Sequence, residues 1–253
     1  MTYIRWVEAD IIARMRPFHY VENALIMTQI RNPAKVSLSD RMAGFHLGHK
    51  ALSVMAECRC RIFDWRHHIK TCGDMSLSEL SVQGGNAQHG TGYQPTHPKF
   101  VFEILVNLKI NYRDYLFIDL GSGKGRTLFV ASEFPFQKII GVEFAEELHR
   151  VACKNARDYR SRTRKCMNIE CVHLDAAEFV IPAIPTVFFL FNPFRPPVLI
   201  PVLRGLDRSL RNSPRDVLLI YVGAFYAQLI EHETKLRQVQ QGPHHKMFRF
   251  TPG

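Results

Sequence analysis

Phe117-Ile-Asp-Leu-Gly-Ser-Gly-Lys-Gly-Arg126 is the stretch on which the reading of this chain turns. The apolar run Leu116 to Leu120, with an acid at Asp119, breaks into glycines at alternate positions, Gly121, Gly123 and Gly125. An apolar segment of helical character follows at once, Thr127 to Phe134. Strand, glycine turn and helix in this order open a nucleotide-type α/β fold. Glycine admits positive φ and lets backbone amides come close to a ligand. The spacing narrows the ligand. A dinucleotide fingerprint needs Gly-x-Gly-x-x-Gly, and its last position here is Arg126. A phosphate-cradling loop needs Gly-Lys-Ser/Thr, and this chain has Gly-Lys-Gly.

Further strand ends repeat the pattern. Lys138 to Phe144 reads as a second strand tipped by Glu143, twenty residues after Gly123. A carboxylate there can accept from both ribose hydroxyls and would repel a 2′-phosphate. Ile169 to Asp175 reads as a third strand ending in an acid, and Thr186 to Phe194 as an apolar fourth ending in Asn192-Pro193-Phe194. The alternative for Asp119, Glu143 and Asp175 is helix capping or loop solvation. Upstream, the loop Asn86-Ala-Gln-His-Gly-Thr-Gly-Tyr-Gln-Pro-Thr-His-Pro-Lys99 feeds a helix expected over Pro98 to Leu108. There Thr96 either meets a carboxylate beside free helix amides or merely caps the helix.

Asp-x-Gly-x-Gly-x-Gly resembles motif I of the class I S-adenosylmethionine (SAM) methyltransferases. The stretch from about 79 to 230 is similar to a bacterial group of that family with Asn-Ala-x-His-Gly-x-Gly-Tyr-Gln-Pro-Thr, Asp-Leu-Gly-Ser-Gly-Lys-Gly-Arg, Gly-Val-Glu-Phe and Asn-Pro-Phe. More distantly it is similar to the non-SET histone lysine methyltransferases and to N6-adenine and glutamine methyltransferases. In the latter the motif is Asn/Asp-Pro-Pro-Tyr/Phe; here Phe194 replaces the second proline. The resemblance implies a Rossmann-like seven-stranded, mostly parallel sheet with an antiparallel last strand. It implies S-adenosyl-L-methionine as cofactor, held by Tyr93, Thr96, Asp119, Gly121, Ser122, Gly123, Gly125, Glu143, Phe144, Asp175, Ala176 and Asn192. Asn192, Pro193 and Phe194 are then the catalytic positions, with the Asn192 side chain and the Pro193 carbonyl accepting from an amine. Phe191 or Phe194 would stack on a planar acceptor or form a wall against a lysine stem. For an oxygen acceptor, His89 is the nearest base. No metal is required.

The reading divides the chain into a helical N-terminal extension, 1–80, and a methyltransferase domain, 81–253. Ser39-Asp40 would cap a helix reaching about Arg61. Past Asn-Pro-Phe we expect a helix over Pro197–Leu210, a strand at Asp216–Val222, a helix at Ala224–Glu233 and two antiparallel strands turning at Gly242-Pro243. The 253 residues are 46% hydrophobic with a formal net charge of +10. Basic balance favours an acidic partner such as nucleic acid. The run 150–165, with Arg150, Lys154, Arg157, Arg160, Arg162, Arg164 and Lys165, either grips phosphate or is a solvated face. No run reaches the roughly 18 apolar residues of a membrane span, and Met1 to Asp10 lacks a signal-peptide pattern. Six cysteines are expected as reduced thiols in a cytoplasmic protein; Cys58, Cys60, His67, His68 and Cys72 lack the paired spacing of common zinc sites. The expected activity is methyl transfer to nitrogen on a protein side chain or a nucleobase. The alternatives are a small-molecule O- or N-methyltransferase and a non-catalytic SAM-binding partner subunit. The acceptor and the oligomeric state are left open.

Overall fold

The computed structural model describes residues 58–80, 89–191 and 193–252. Most of the helix expected from Ser39 lies outside them, as do the start of the glycine-rich loop and Asn192. A helix, α1, whose described part covers 58–67, continues past Arg61. The compact unit that contains the sheet runs from Ala56 to Gly253, so residues 58–80 belong to it rather than to a separate extension.

Seven strands form one sheet in the order β3-β2-β1-β4-β5-β7-β6. They are β1 (Leu116–Leu120), β2 (Lys138–Glu143), β3 (Ile169–His173), β4 (Thr186–Phe191), β5 (Val217–Val222), β6 (Arg237–Gln241) and β7 (His245–Phe250). The first five are parallel, and β7 inserts antiparallel between β5 and β6. β1 and β5 are buried along their whole length, whereas the edge strand β6 is exposed throughout. Strands covered on both faces need continuous apolar runs, and Leu116 to Leu120 and Val217 to Val222 supply them but for Asp119.

Side chains alternate between the two faces with the period of two that a pleated strand imposes. Leu116, Ile118 and Leu120 join Phe188, Leu190, Leu219 and Tyr221 in one core. Phe117, Val187, Phe189, Leu218 and Ile220 join the other. The first core is closed by α5 (Pro196–Asn212) and α6 (Ala227–Glu233), through Leu199, Leu203 and Ile230. The second is closed by α2 (Pro98–Val106) and α3 (Arg126–Ala131), through Val101, Leu105 and Leu128. A further helix, α4 (Glu146–Asp158), packs on β2 and β3. Strand order reverses between β1 and β4, and the crevice at the strand tips there is where open α/β sheets take ligands. No helix among the described residues is long and apolar enough to cross a membrane.

Candidate functional site

The glycine turn leaves β1 with Gly121 and Gly123 at φ +83° and +55°, a region that L side chains rarely adopt. Space excludes a side chain as well. A Cβ on Gly121 would lie 2.5 Å from the Pro193 ring, and one on Gly123 would strike the Tyr93 ring. Gly125, expected to contact cofactor, instead forms the left-handed N-cap of α3 and packs against Phe129 and Ala152. It is absent from the cleft wall.

Two carboxylates stand at the tips of β1 and β2. Glu143 accepts from the N–H groups of Gly123 (2.8 Å) and Ala145 (2.9 Å), one on each oxygen. The Phe144 N–H also bonds this carboxylate, which leaves about one lone pair for a further donor. Burial pushes the Glu143 carboxyl up, and these N–H groups oppose the shift. Burial, and then the charge of Glu143, raise Asp119 to about 8, against a hydrogen bond from Thr127. Two buried acids in contact with one field cannot both ionise cheaply. Burial raises both carboxyls, and Glu143 has the backbone N–H donors that oppose its rise.

Asp119, Glu143, Ser122, Phe144, Tyr93 and Thr96 line one cleft of about 360 Å³. Asp175 and Ala176 line a narrow extension that shares Gly121, Phe144 and Phe194 with it. Asp175 lies two residues beyond β3, and its carboxylate accepts from Ala177 N–H (2.9 Å). The cleft has the chemistry of a nucleoside site with a cationic end. It offers open carboxylate lone pairs, a glycine turn with no room for Cβ, and a buried Ser122 hydroxyl with no partner among the described residues.

A strap, 89–97, roofs the turn. Arg195 N–H donates to His89 C=O (2.9 Å), and Thr91 donates to Pro193 C=O through its N–H (3.2 Å) and its hydroxyl (3.4 Å). The Pro193 carbonyl, expected to face an amine, is therefore already engaged. Phe194 is buried, pairs with Gly90 through backbone, and lines both the cleft and its extension. On its other side the strap pairs Tyr93 with Met75 (2.7 and 2.9 Å), and the Tyr93 hydroxyl donates to Thr71 C=O (2.6 Å). The N-cap of α2 is His97, not Thr96. Thr96 is buried, and its carbonyl accepts from Arg126 (3.4 Å).

The sequence reading missed what the two cations of Gly-Lys-Gly-Arg do. Lys124 is absent from the cleft wall, whereas Arg126 lines the cleft while tied to Asp64 and Thr71. Lys124 Nζ donates to the carbonyls of Cys72 and Gly73 (3.0 Å each) and lies 4.6 Å over the Tyr93 ring. Arg126 is buried, donating to Thr71 Oγ1 (2.6 Å) and Asp64 Oδ1 (3.2 Å). Asp64 also accepts from the Thr71 hydroxyl (2.6 Å) and from Cys72 N–H (2.8 Å). Cys60 and Cys72, expected as reduced thiols, are joined as a disulfide beside this guanidinium. A signal was present: two cations flanking a glycine at the start of a helix that is apolar from Leu128 to Ala131 have to be neutralised by something distant.

In the basic run, Arg150 pairs with Glu146, and Lys154 with Asp158 (2.6 Å). Arg160 and Arg164 donate to nearby backbone carbonyls.

Residues 86–184 match the family model described as "Histone methylation protein DOT1". The sheet order and the glycine turn after β1 are Rossmann-like. The cleft's donors and acceptors suit S-adenosylmethionine. The matched segment covers the strap, the glycine turn and the first three strands, and stops short of β4 and Asn-Pro-Phe. Among solved structures, the chain is similar to a predicted N6-adenine-specific DNA methylase from Listeria monocytogenes (12% identity, TM-score 0.47, 70% of this chain and 55% of that one). It is similar to the tRNA methyltransferase TrmI from Aquifex aeolicus (17%, 0.43, 68% and 73%). It is also similar to an RNA methyltransferase from Salinibacter ruber in complex with S-adenosylhomocysteine (21%, 0.37, 62% and 93%). The match thus spans little more than half of the Listeria chain. No curated protein matches the sequence.

Proposed function

We propose that this protein transfers a methyl group from SAM to a nitrogen acceptor on a protein side chain or a nucleobase. The observation that supports it most is the buried pair Asp119 and Glu143, set side by side at adjacent strand tips against the glycine turn. Glu143 takes a ribose hydroxyl on its open lone pair. Asp119 meets the cationic end and gives up its proton in doing so. When bound, the cofactor supplies an activated methyl on a sulfonium, so the chain has mainly to hold and dry the reactants. Positioning of this kind supplies on the order of 7–11 kcal/mol. Tyr93 and the strap exclude water from the turn, and Asn192 is the residue we assign to orient the acceptor nitrogen.

Isothermal titration with SAM and S-adenosylhomocysteine tests the reading. Glu143→Ala should weaken both about ten- to hundredfold, because it strips a charged acceptor from a bound hydroxyl and from Gly123 N–H. Asn192→Ala should leave affinity alone and lower turnover. The absence of binding heat with either ligand rejects the proposal.

A further inference from the structure

A second cleft, of about 680 Å³, adjoins the first and shares Gln94, Thr96, Phe191, Gly223 and Phe225 with it. It is built from the start of α2, the ends of β4 and β5, and the β6–β7 turn. Its composition is one-sided. Among the described residues its wall has no aspartate or glutamate, and its titratable groups there are His97, His244, His245 and Lys246. A lysine ammonium entering here would meet no carboxylate and one fixed cation, an arrangement that rejects it.

What the wall offers instead is rings. Phe100, Phe191 and Phe225 contribute faces or edges, and Phe225 is 72% exposed at the end of β5. A large aromatic left in water beside a cleft marks a contact surface. The backbone holds it there, since Gly223 and Ala224 both take positive φ (75° and 39°). Such a conformation in a non-glycine residue is strained and is kept where the surroundings over-determine it. His245 is 9% exposed, and both its ring nitrogens lack partners among the described residues. Burial and His244 push it below the ordinary histidine range, and burial does the same to His97. A neutral imidazole donates from one nitrogen and accepts at the other, which suits the mixed edge of a base.

We propose that this second cleft is the acceptor site and that it takes a nucleobase from a single-stranded or unpaired nucleic acid, stacked on Phe225, with Lys246 meeting a neighbouring phosphate. The inference rests on the methyltransferase reading. In the transfer, the base nitrogen lends its lone pair to the methyl carbon as the carbon–sulfur bond breaks and that bond's electron pair stays on sulfur. The proton shed by the nitrogen goes to a neutral imidazole of the cleft or to water.

The test uses the full chain with saturating S-adenosylhomocysteine and fluorescein-labelled mixed-sequence RNA and DNA single strands, read by anisotropy. We expect salt-dependent binding that Phe225→Ala weakens about tenfold, in line with the loss of base stacking. Lys246→Gln should weaken it more evenly and lower the salt slope by about one, with SAM affinity unchanged. In a parallel assay, labelled SAM should place its methyl in the nucleic-acid fraction of an extract. Label in protein, label in free metabolites, or no label in nucleic acid overturns the proposal, as does strand binding indifferent to both substitutions. Strand binding that depends on Phe225, in a protein that binds no SAM, would instead sink the transferase reading and leave the ligand of the cleft standing.

Discussion

The two clefts share a wall and differ in every electrical respect. The first is built around two buried acids, and most of its polar groups already have partners: Glu143 with Gly123 and Ala145, Arg126 with Asp64, Tyr93 with Thr71. Among the described residues the second contains no carboxylate, and the imidazole of His245 is unpartnered. The difference teaches how one crevice keeps a cation and an anion-flanked ring apart. Acids at strand tips attract the positive ligand, and their absence a few residues away keeps it from occupying the acceptor's place.

The largest blow to the wired side should come from Asp64→Ala. It strands the Arg126 guanidinium in a buried place and removes the acceptor of the Thr71 hydroxyl and Cys72 N–H. Breaking a buried pair from one side costs roughly 3–5 kcal/mol. Urea unfolding should show that loss, and SAM affinity should drop with it because Thr71 also anchors Tyr93. A variant as stable as the parent would mean that residues 58–80 are held by something other than this cluster.

That cluster also marks the limit of what could be read beforehand. The glycine turn, the acid tips of β1 and β2 and the antiparallel pair at the sheet edge were legible because each is written in a continuous stretch. An apolar run ends, an acid or glycine follows, and local sterics do the rest. Predicted strand ends fell within one to three residues, the largest miss being the fourth strand, expected to Phe194 and ending at Phe191. Asp64 and Arg126 lie 62 positions apart, and a long-range pair leaves no local period to find. Residues 58–80 therefore read as an appendage although they brace the site. The second cleft was illegible for the same reason, since α2, β4, β5 and the β6–β7 turn meet only in space. The disulfide escaped because composition pointed to reduced thiols, while Cys60 and Cys72 are brought together by the turn that Asp64 closes.

The next effect in size concerns Asp119. Its carboxyl is raised from the ordinary carboxylate range to about 8, first by burial and then by Glu143. A raised acid binds its proton more tightly when folded. Its contribution is whole below about pH 4 and is lost as pH climbs through about 8. Asp119→Asn should therefore match the parent's unfolding midpoint near pH 4 and exceed it near pH 8.5 in the ligand-free protein. The same ionisation helps a cation to bind, so SAM affinity in the parent should rise from about pH 6 to 8 with release of a proton. In the asparagine variant that rise should flatten. Parallel stability profiles would show that Asp119 ionises freely and that the first cleft is less acidic in function than in composition.

The smallest effect is expected on α4, and it sharpens the contrast between cations that are matched and one that is not. Arg150 and Lys154 each have a carboxylate one helical turn away, Glu146 and Asp158, and all four side chains are exposed to solvent. Exposed pairs of this kind contribute little and are screened by salt. Lys246, at the second cleft, has no ion pair among the described residues. Replacing Arg150 and Lys154 together by Gln should leave the unfolding midpoint within the scatter of repeated scans and leave the salt slope of strand binding where it was. Lys246→Gln alone should lower that slope. If the α4 substitutions lower it as much, the phosphate backbone runs across α4 rather than past the β6–β7 turn, and the division of labour between the two clefts has to be redrawn around the basic run.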